Sequence, residues 1–156
     1  MDKSLQRMGL VDNQEALASI YNPSDFINLD GNDIHKTAII YPNVILGKGN
    51  VIGAYSVIGS NGEMRKGNDF KGTVCEFQKS FKGSVIIGDN NVISEMVTIQ
   101  RPKEPGAITS IGNGNILMAH SHIGHDAKIG DECEICTGTI IGGHAAILDG
   151  AVIKLG

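Results

Sequence analysis

The chain has 156 residues and a formal net charge of −4. That length suits one domain with a buried core, and the charge, with no basic tail or arginine-rich run, excludes a nucleic-acid-binding role read from electrostatics. Hydrophobic residues make up 41%, yet aromatics only 4%, there is no Trp, and glycines number 21. Small aliphatics with many glycines fit thin, regular coils better than an ordinary globule.

Residues 1–33 carry no regular spacing and are expected to form a cap segment. Within it QEALASIY reads as a short helix and NPSD as a turn. The start is charged and lacks a long apolar stretch, so neither a signal peptide nor a transmembrane segment is expected. Three cysteines, an odd number, argue against a disulfide framework and for a reduced, cytoplasmic protein.

From residue 34 onward an aliphatic recurs every six positions. The first run is Ile34, Ile40, Leu46, Ile52 and Ile58. The second is Ile87, Ile93 and Ile99. The third is Ile111, Leu117, Ile123, Ile129, Ile135, Ile141, Ile147 and Ile153. Gly directly follows eight of these sixteen, as in Ile123-Gly124 and Ile141-Gly142. Four positions after most of them stands something small, such as Ala38, Ser56, Ser121 or Ala127; in other hexads Asn50, Asn91 and Asn115 take that place. A period of six is neither helix nor ordinary strand. It fits short strands joined by tight turns, with the aliphatic pointing inward, the small residue near the corner and Gly tolerating unusual backbone angles there. Three hexads then close a three-sided coil. The expected fold is an all-β parallel β-helix of hexapeptide repeats over residues 34–156.

Two excursions interrupt the repeat, at 60–84 and 100–110. The first holds Arg65, Lys66, Lys71, Lys79 and Lys82 and reads as a locally basic flap, solvated by default or able to meet phosphates or an acidic carrier protein. The second keeps the six-residue phase, so the coil should resume in register. The chain stops at Gly156 inside a hexad, leaving the last coil cut short or covered by another chain. The segment 1–33 is expected to cover the opposite end, where bare strand edges invite aggregation.

Four of the five histidines cluster: His120, His122, His125 and His144. His125 and Gly143 differ by one full coil and should stack about 4.8 Å apart, as should Asp126 and His144. This suits acyl transfer. His125 can take a proton from an attacking hydroxyl or amine. Asp126 can fix its tautomer, and the Gly143 N–H can face a developing oxyanion. His122 and His144 could bind polar groups of a substrate. Cys133 and Cys136 form a lone C-x-x-C, better explained by packing than by zinc. His35 lies far from the cluster and reads as structural or exposed.

The run ISEMVTIQRP, then TSIGNGNILMAHSHIGHDAKIG, then GTIIGGHAAI resembles the UDP-N-acetylglucosamine O-acyltransferases that begin lipid A synthesis, clearly over residues 85–149 and more weakly over 34–59. The resemblance implies a left-handed coil, a cytoplasmic homotrimer with clefts between subunits, no metal, and an acyl-carrier-protein thioester or acyl-CoA as co-substrate in place of a cofactor. It implies His125 as base, Asp126 as its orienting partner and Gly143 as oxyanion donor. His122, His144, His120, Gln100, Arg101 and Lys66 fall at substrate-contacting positions. Gln100 stands where that family has a histidine, and His120 where it has an asparagine. An acetyl-CoA-dependent sugar O- or N-acetyltransferase is the alternative on the same fold. A zinc enzyme resembling gamma-class carbonic anhydrases would use the H-x-x-x-x-H spacing of His120 and His125. A non-catalytic β-helix would leave the histidines idle.

Overall fold

In a computed structural model, residues 23–62 and 81–154 are described. Strands are numbered in chain order and fall into three sheets that form the faces of a prism. The first face holds β1 (Phe26–Leu29), β2 (Asn32–His35), β5 (Val51–Ile52), β8 (Val92–Ile93), β11 (Ile116–Leu117), β14 (Glu134–Ile135) and β17 (Val152–Ile153). The second holds β3 (Ile39–Ile40), β6 (Val57–Asn61), β9 (Thr98–Arg101), β12 (His122–Ile123) and β15 (Ile140–Ile141). The third holds β4 (Val44–Leu46), β7 (Ser84–Ile87), β10 (Ile108–Ile111), β13 (Lys128–Ile129) and β16 (Ala146–Ile147).

The six-residue spacing resolves into these faces without exception. On the first face Ile34, Ile52, Ile93, Leu117, Ile135 and Ile153 align in register. On the second Ile40, Ile58, Ile99, Ile123 and Ile141 align, and on the third Leu46, Ile87, Ile111, Ile129 and Ile147. All sixteen belong to the central apolar core or pack against it. Each strand presents its neighbour residue outward, so a two-residue strand suffices for one face. Ile and Val favour this pleated geometry, and each coil buries its aliphatics on the next.

The corners work differently from the sequence-based expectation. The left-handed backbone angles sit mostly three residues after the aliphatic, at Tyr55, Met96, His120, Asp126 and His144; of the glycines that follow an aliphatic directly, only Gly59, at φ 86°, adopts a positive angle among the described residues. Most of those glycines are required by crowding: a Cβ on Gly124 would come within 2.6 Å of the Gly143 nitrogen, and one on Gly53 within 2.6 Å of the Glu95 nitrogen. Coils touch at the corners, and a methyl group there would push them apart.

Inside the corner between the third and first faces runs a column of amides. Asn50 Nδ2 donates to Asn32 Oδ1 at 2.9 Å, Asn91 Nδ2 to Asn50 Oδ1 at 2.9 Å, and Asn115 Nδ2 to Asn91 Oδ1 at 3.0 Å. The Cys133 N–H caps the column on Asn115 Oδ1 at 2.7 Å. Asn50, Asn91, Asn115 and Cys133 are fully buried. The Cys133 thiol faces the Leu148 carbonyl at 3.2 Å, which places it in packing, as its hexad position implied.

The described part of the expected cap is a 3-10 turn, Pro23–Asp25, followed by β1, which pairs antiparallel with β2 across a tight turn at Asp30-Gly31. Both turn residues have positive φ, 51° and 85°, as a two-residue hairpin loop requires. His35 is structural: its Nδ1 meets Thr37 Oγ1 at 2.8 Å and its ring packs edge-on to Phe26. Residues 1–22, including QEALASIY, and most of the first excursion lie outside the described residues.

Replacing Asn91 with Ala strands the Asn115 amide groups and the Gly112 carbonyl in a dry interior. Unfolding in urea should show a loss of about 3 kcal/mol, the scale for leaving two or three buried polar groups unpaired. A loss below about 0.5 kcal/mol would mean the column carries no stability.

Candidate active site

The corner between the second and third faces turns at His125-Asp126 and, one coil later, at Gly143-His144. Asp126 and His144 both hold left-handed angles, with φ of 60° and 62°. The His144 N–H donates to the His125 carbonyl at 3.0 Å, which fixes one turn above the other. Asp126 is held from a third element, since its N–H donates to Thr109 Oγ1 of β10 at 2.8 Å.

This backbone sets the side chains. His125 Nδ1 lies 2.8 Å from Asp126 Oδ2. A carboxylate only accepts, so the bond places the proton on Nδ1 and leaves the Nε2 lone pair free. His144 packs edge-on against His125, ring centroids 5.1 Å apart at 88°, with its Nε2 4.0 Å from Asp126 Oδ2. The His125 and Asp126 side chains are 24% and 25% exposed and His144 is 74% exposed, so the pair is sheltered while its neighbour reaches solvent.

Two glycines frame the imidazole. A Cβ on Gly143 would fall 2.9 Å from His125 Cε1 and Nε2, and one on Gly62 would fall 2.8 Å from His125 Cβ and Cδ2. The ring therefore stands where only glycine fits on either side. Among the described residues the Gly143 N–H donates no backbone hydrogen bond, so the residue that crowds Nε2 carries an idle backbone donor.

Both excursions leave the coil at this same corner: one between β6 and β7, the other between β9 and β10. They bring Phe81, Lys103 and Glu104 to a cavity of about 180 Å³ that they line with His125, Asp126 and His144. None of the three loop residues emerged from the sequence reading. Counting coils from the hexads would have placed both insertions at one corner, and that arithmetic was the available signal.

The other expected site residues are distributed unevenly. Arg101 is buried; its Nε and Nη2 reach Asn61 Oδ1 at 3.3 and 3.1 Å, and its guanidinium lies 5.6 Å from the Tyr41 ring centroid. Burial lowers its pKa from the usual value, partly offset by Tyr41. The Arg101 carbonyl also accepts the Gly62 N–H at 3.2 Å. Arg101 thus holds the end of β6, and with it Gly62, against His125, and it does not line the cavity. Gln100 is buried beside it, 8% exposed. His122 is on the outer side of the second face, its Nδ1 2.7 Å from Thr98 Oγ1. His120 sits at the neighbouring corner, between the first and second faces, and is exposed. Lys66 falls outside the described residues. Among the described residues the side chains that could share a metal are His125, Asp126 and His144, with ligand atoms within 4.8 Å of one another; His120 is not in this group. The H-x-x-x-x-H pair is split between two corners.

Comparison with known proteins agrees with this architecture. Residues 108–143 match the bacterial transferase hexapeptide (six repeats) family. An acyl-(acyl-carrier-protein)–UDP-N-acetylglucosamine O-acyltransferase of Thermodesulfovibrio yellowstonii is 36% identical over 144 residues, covering 76% of this chain and 56% of that protein. The enzyme of the same name from Xylella fastidiosa is 32% identical, covering 78% and 56%. The crystal structure of a UDP-N-acetylglucosamine acyltransferase from Bacteroides fragilis superposes with a TM-score of 0.65 at 35% identity, over 78% of this chain and 44% of that one. The chain is a left-handed β-helix of hexapeptide repeats, similar to these acyltransferases. It spans about half the length of the relatives it matches. The expected fold and the resemblance thus hold. Among the described residues no helix is long and apolar enough to cross a membrane.

The glycine frame yields a direct check. In a crystal structure of Gly143→Ala the His125 ring should be rotated away and its 2.8 Å contact with Asp126 broken, with the coil intact. A ring left in place would show that the crowding at 143 is not what sets it.

Proposed function

We propose that this chain catalyses acyl transfer from a thioester to a hydroxyl of a UDP-linked N-acetylhexosamine, with acyl-carrier-protein as the donor's carrier, as the names of its relatives indicate for those proteins. The observation that carries the reading is the His125–Asp126 pair, packed against Gly143 and lining a cavity. The acceptor hydroxyl gives its proton to His125 Nε2 while its oxygen attacks the thioester carbonyl carbon. Asp126 holds Nδ1–H and stabilises the resulting imidazolium. The carbonyl oxygen becomes an oxyanion, which the Gly143 N–H can meet. Collapse of the tetrahedral intermediate breaks the C–S bond, and the imidazolium returns its proton to the leaving thiolate. The products are an O-acyl sugar and a free thiol, and no step calls for a metal or cofactor. In this reading His144, exposed and touching the pair, and His122 on the adjoining face contact the substrate.

The same reading makes the working unit a homotrimer. The second face carries Ile39 and Ile140, 53% and 75% exposed, on either side of Val57, Thr98 and His122. A neighbouring subunit packed there would cover aliphatic surface and wall the cavity from its open side. The free thiols of Cys133 and Cys136 fit a reducing compartment such as the cytoplasm.

The assay is transfer from acyl-carrier-protein to UDP-N-acetylglucosamine, with acetyl-CoA as the competing donor. His125→Ala should lower kcat by a factor of about 100 or more, the scale of a lost general base, without changing the circular dichroism spectrum. Full activity in that variant would remove the proposal, and turnover with acetyl-CoA alone would favour the acetyltransferase alternative.

A further inference from the structure

The cavity beside His125 has an unbalanced wall. Asp126 and Glu104 bring two carboxylates to it, Phe81 a buried aromatic surface, and Lys103 an ammonium-bearing side chain. Among the described residues Lys103 is the only cation lining it. Arg101, two residues earlier, is held by Asn61 and Tyr41 and is unavailable.

The position of Lys103 is held firmly by its backbone. The Lys82 N–H donates to the Lys103 carbonyl at 2.8 Å, and the Gly83 N–H donates to the Pro102 carbonyl at 3.0 Å. Pro102 is buried, and a Cβ on Gly83 would come within 2.7 Å of Pro102 Cβ, so the two excursions lock together at this point. The second excursion then folds back on itself, with the Ala107 N–H donating to the Glu104 carbonyl at 3.2 Å and Gly106 at φ 80°. Lys103 itself is half-buried. A long aliphatic stem lying against protein with its charge kept free is the usual way a lysine serves as a point charge for phosphate.

Size decides what such a charge would meet. At about 180 Å³ the cavity is small beside ligand pockets of roughly 300–1,000 Å³. Only the reacting end of a substrate enters it, and the rest lies at the rim. A nucleotide sugar carries a diphosphate next to its sugar, and an acyl carrier bears its thioester on a phosphate-linked arm. Either phosphate would approach two carboxylates unless a cation offsets them.

We infer that Lys103 contacts a phosphate group of one of the two substrates at the rim of the His125 cavity and sets the preference for phosphorylated partners. This rests on the acyl-transfer reading for the substrates' identity, though not for the anion site itself.

The test is steady-state kinetics on the whole chain, varying UDP-N-acetylglucosamine and acyl-carrier-protein separately, for wild type, Lys103→Ala and Lys103→Arg. Lys103→Ala should raise one KM about tenfold and change kcat less than about threefold, the mark of a contact shared by ground and transition states. Lys103→Arg should restore most of that loss. A rise in the nucleotide-sugar KM assigns the contact to the diphosphate, and a rise in the carrier KM assigns it to the carrier's phosphate. Two unchanged KM values, a loss confined to kcat, or an Arg variant as poor as Ala overturns the inference. Inorganic pyrophosphate, titrated by calorimetry, keeps the question separate from turnover. If wild type transfers no acyl group, a roughly tenfold weaker pyrophosphate affinity in Lys103→Ala still supports the anion site, and equal or absent binding in both proteins overturns it.

Discussion

Backbone hydrogen bonds between successive coils hold equivalent residues, eighteen apart where no excursion intervenes, directly over one another, about 4.8 Å along the prism. That spacing governs nearly everything else in the molecule. Ile34 lies on Ile52 and Ile123 on Ile141 because the strands are parallel and in register. The same stacking sets Gly143-His144 over His125-Asp126, four residues in two adjacent turns, far closer than their sequence separation implies. A slip of one residue would turn the isoleucines outward and separate this group at once.

The corner adds two constraints to the stacking. Asp126 and His144 hold left-handed angles at these turns, and both side chains lie beside the His125 ring, with His144 still largely exposed. Non-glycine residues adopt that conformation at some cost, and Asp tolerates it better than most. Gly62 and Gly143 then leave space for a flat imidazole and for nothing else. Arg101 contributes from a distance, since its grip on Asn61 and its carbonyl bond to the Gly62 N–H hold one side of that space closed. Its buried guanidinium is a strut for the site and is not part of the cavity wall.

Much of this could be read from the residues alone, because a period of six leaves a visible mark. The sixteen aliphatics, the in-phase return after the second excursion, the coil-to-coil pairing of 125 with 143 and the packing role of Cys133 all follow from counting. Other features leave no such mark. Asn50, Asn91 and Asn115 were visible as substitutes at the small position, but their hydrogen-bonded column needs the parallel register to bring each amide onto the next. Most of the glycines after the aliphatics, Gly59 apart, serve close approach and not unusual backbone angles, since these are separate demands for glycine. His120 looked like a member of the cluster because it is near His125 in sequence, yet five residues carry the chain across a whole face to another corner. The opposite holds for Phe81 and Lys103, far away in sequence and adjacent to the site because both excursions leave at one corner.

The central claim is that the coil stacking fixes the tautomer and direction of one imidazole. Nitrogen-15 NMR of the His125 side chain, on the whole protein at mildly alkaline pH, reports this directly. The account predicts a protonated Nδ1 bonded to Asp126 and a bare Nε2 next to Gly143. A proton on Nε2, or signals averaged between the two nitrogens, would contradict it.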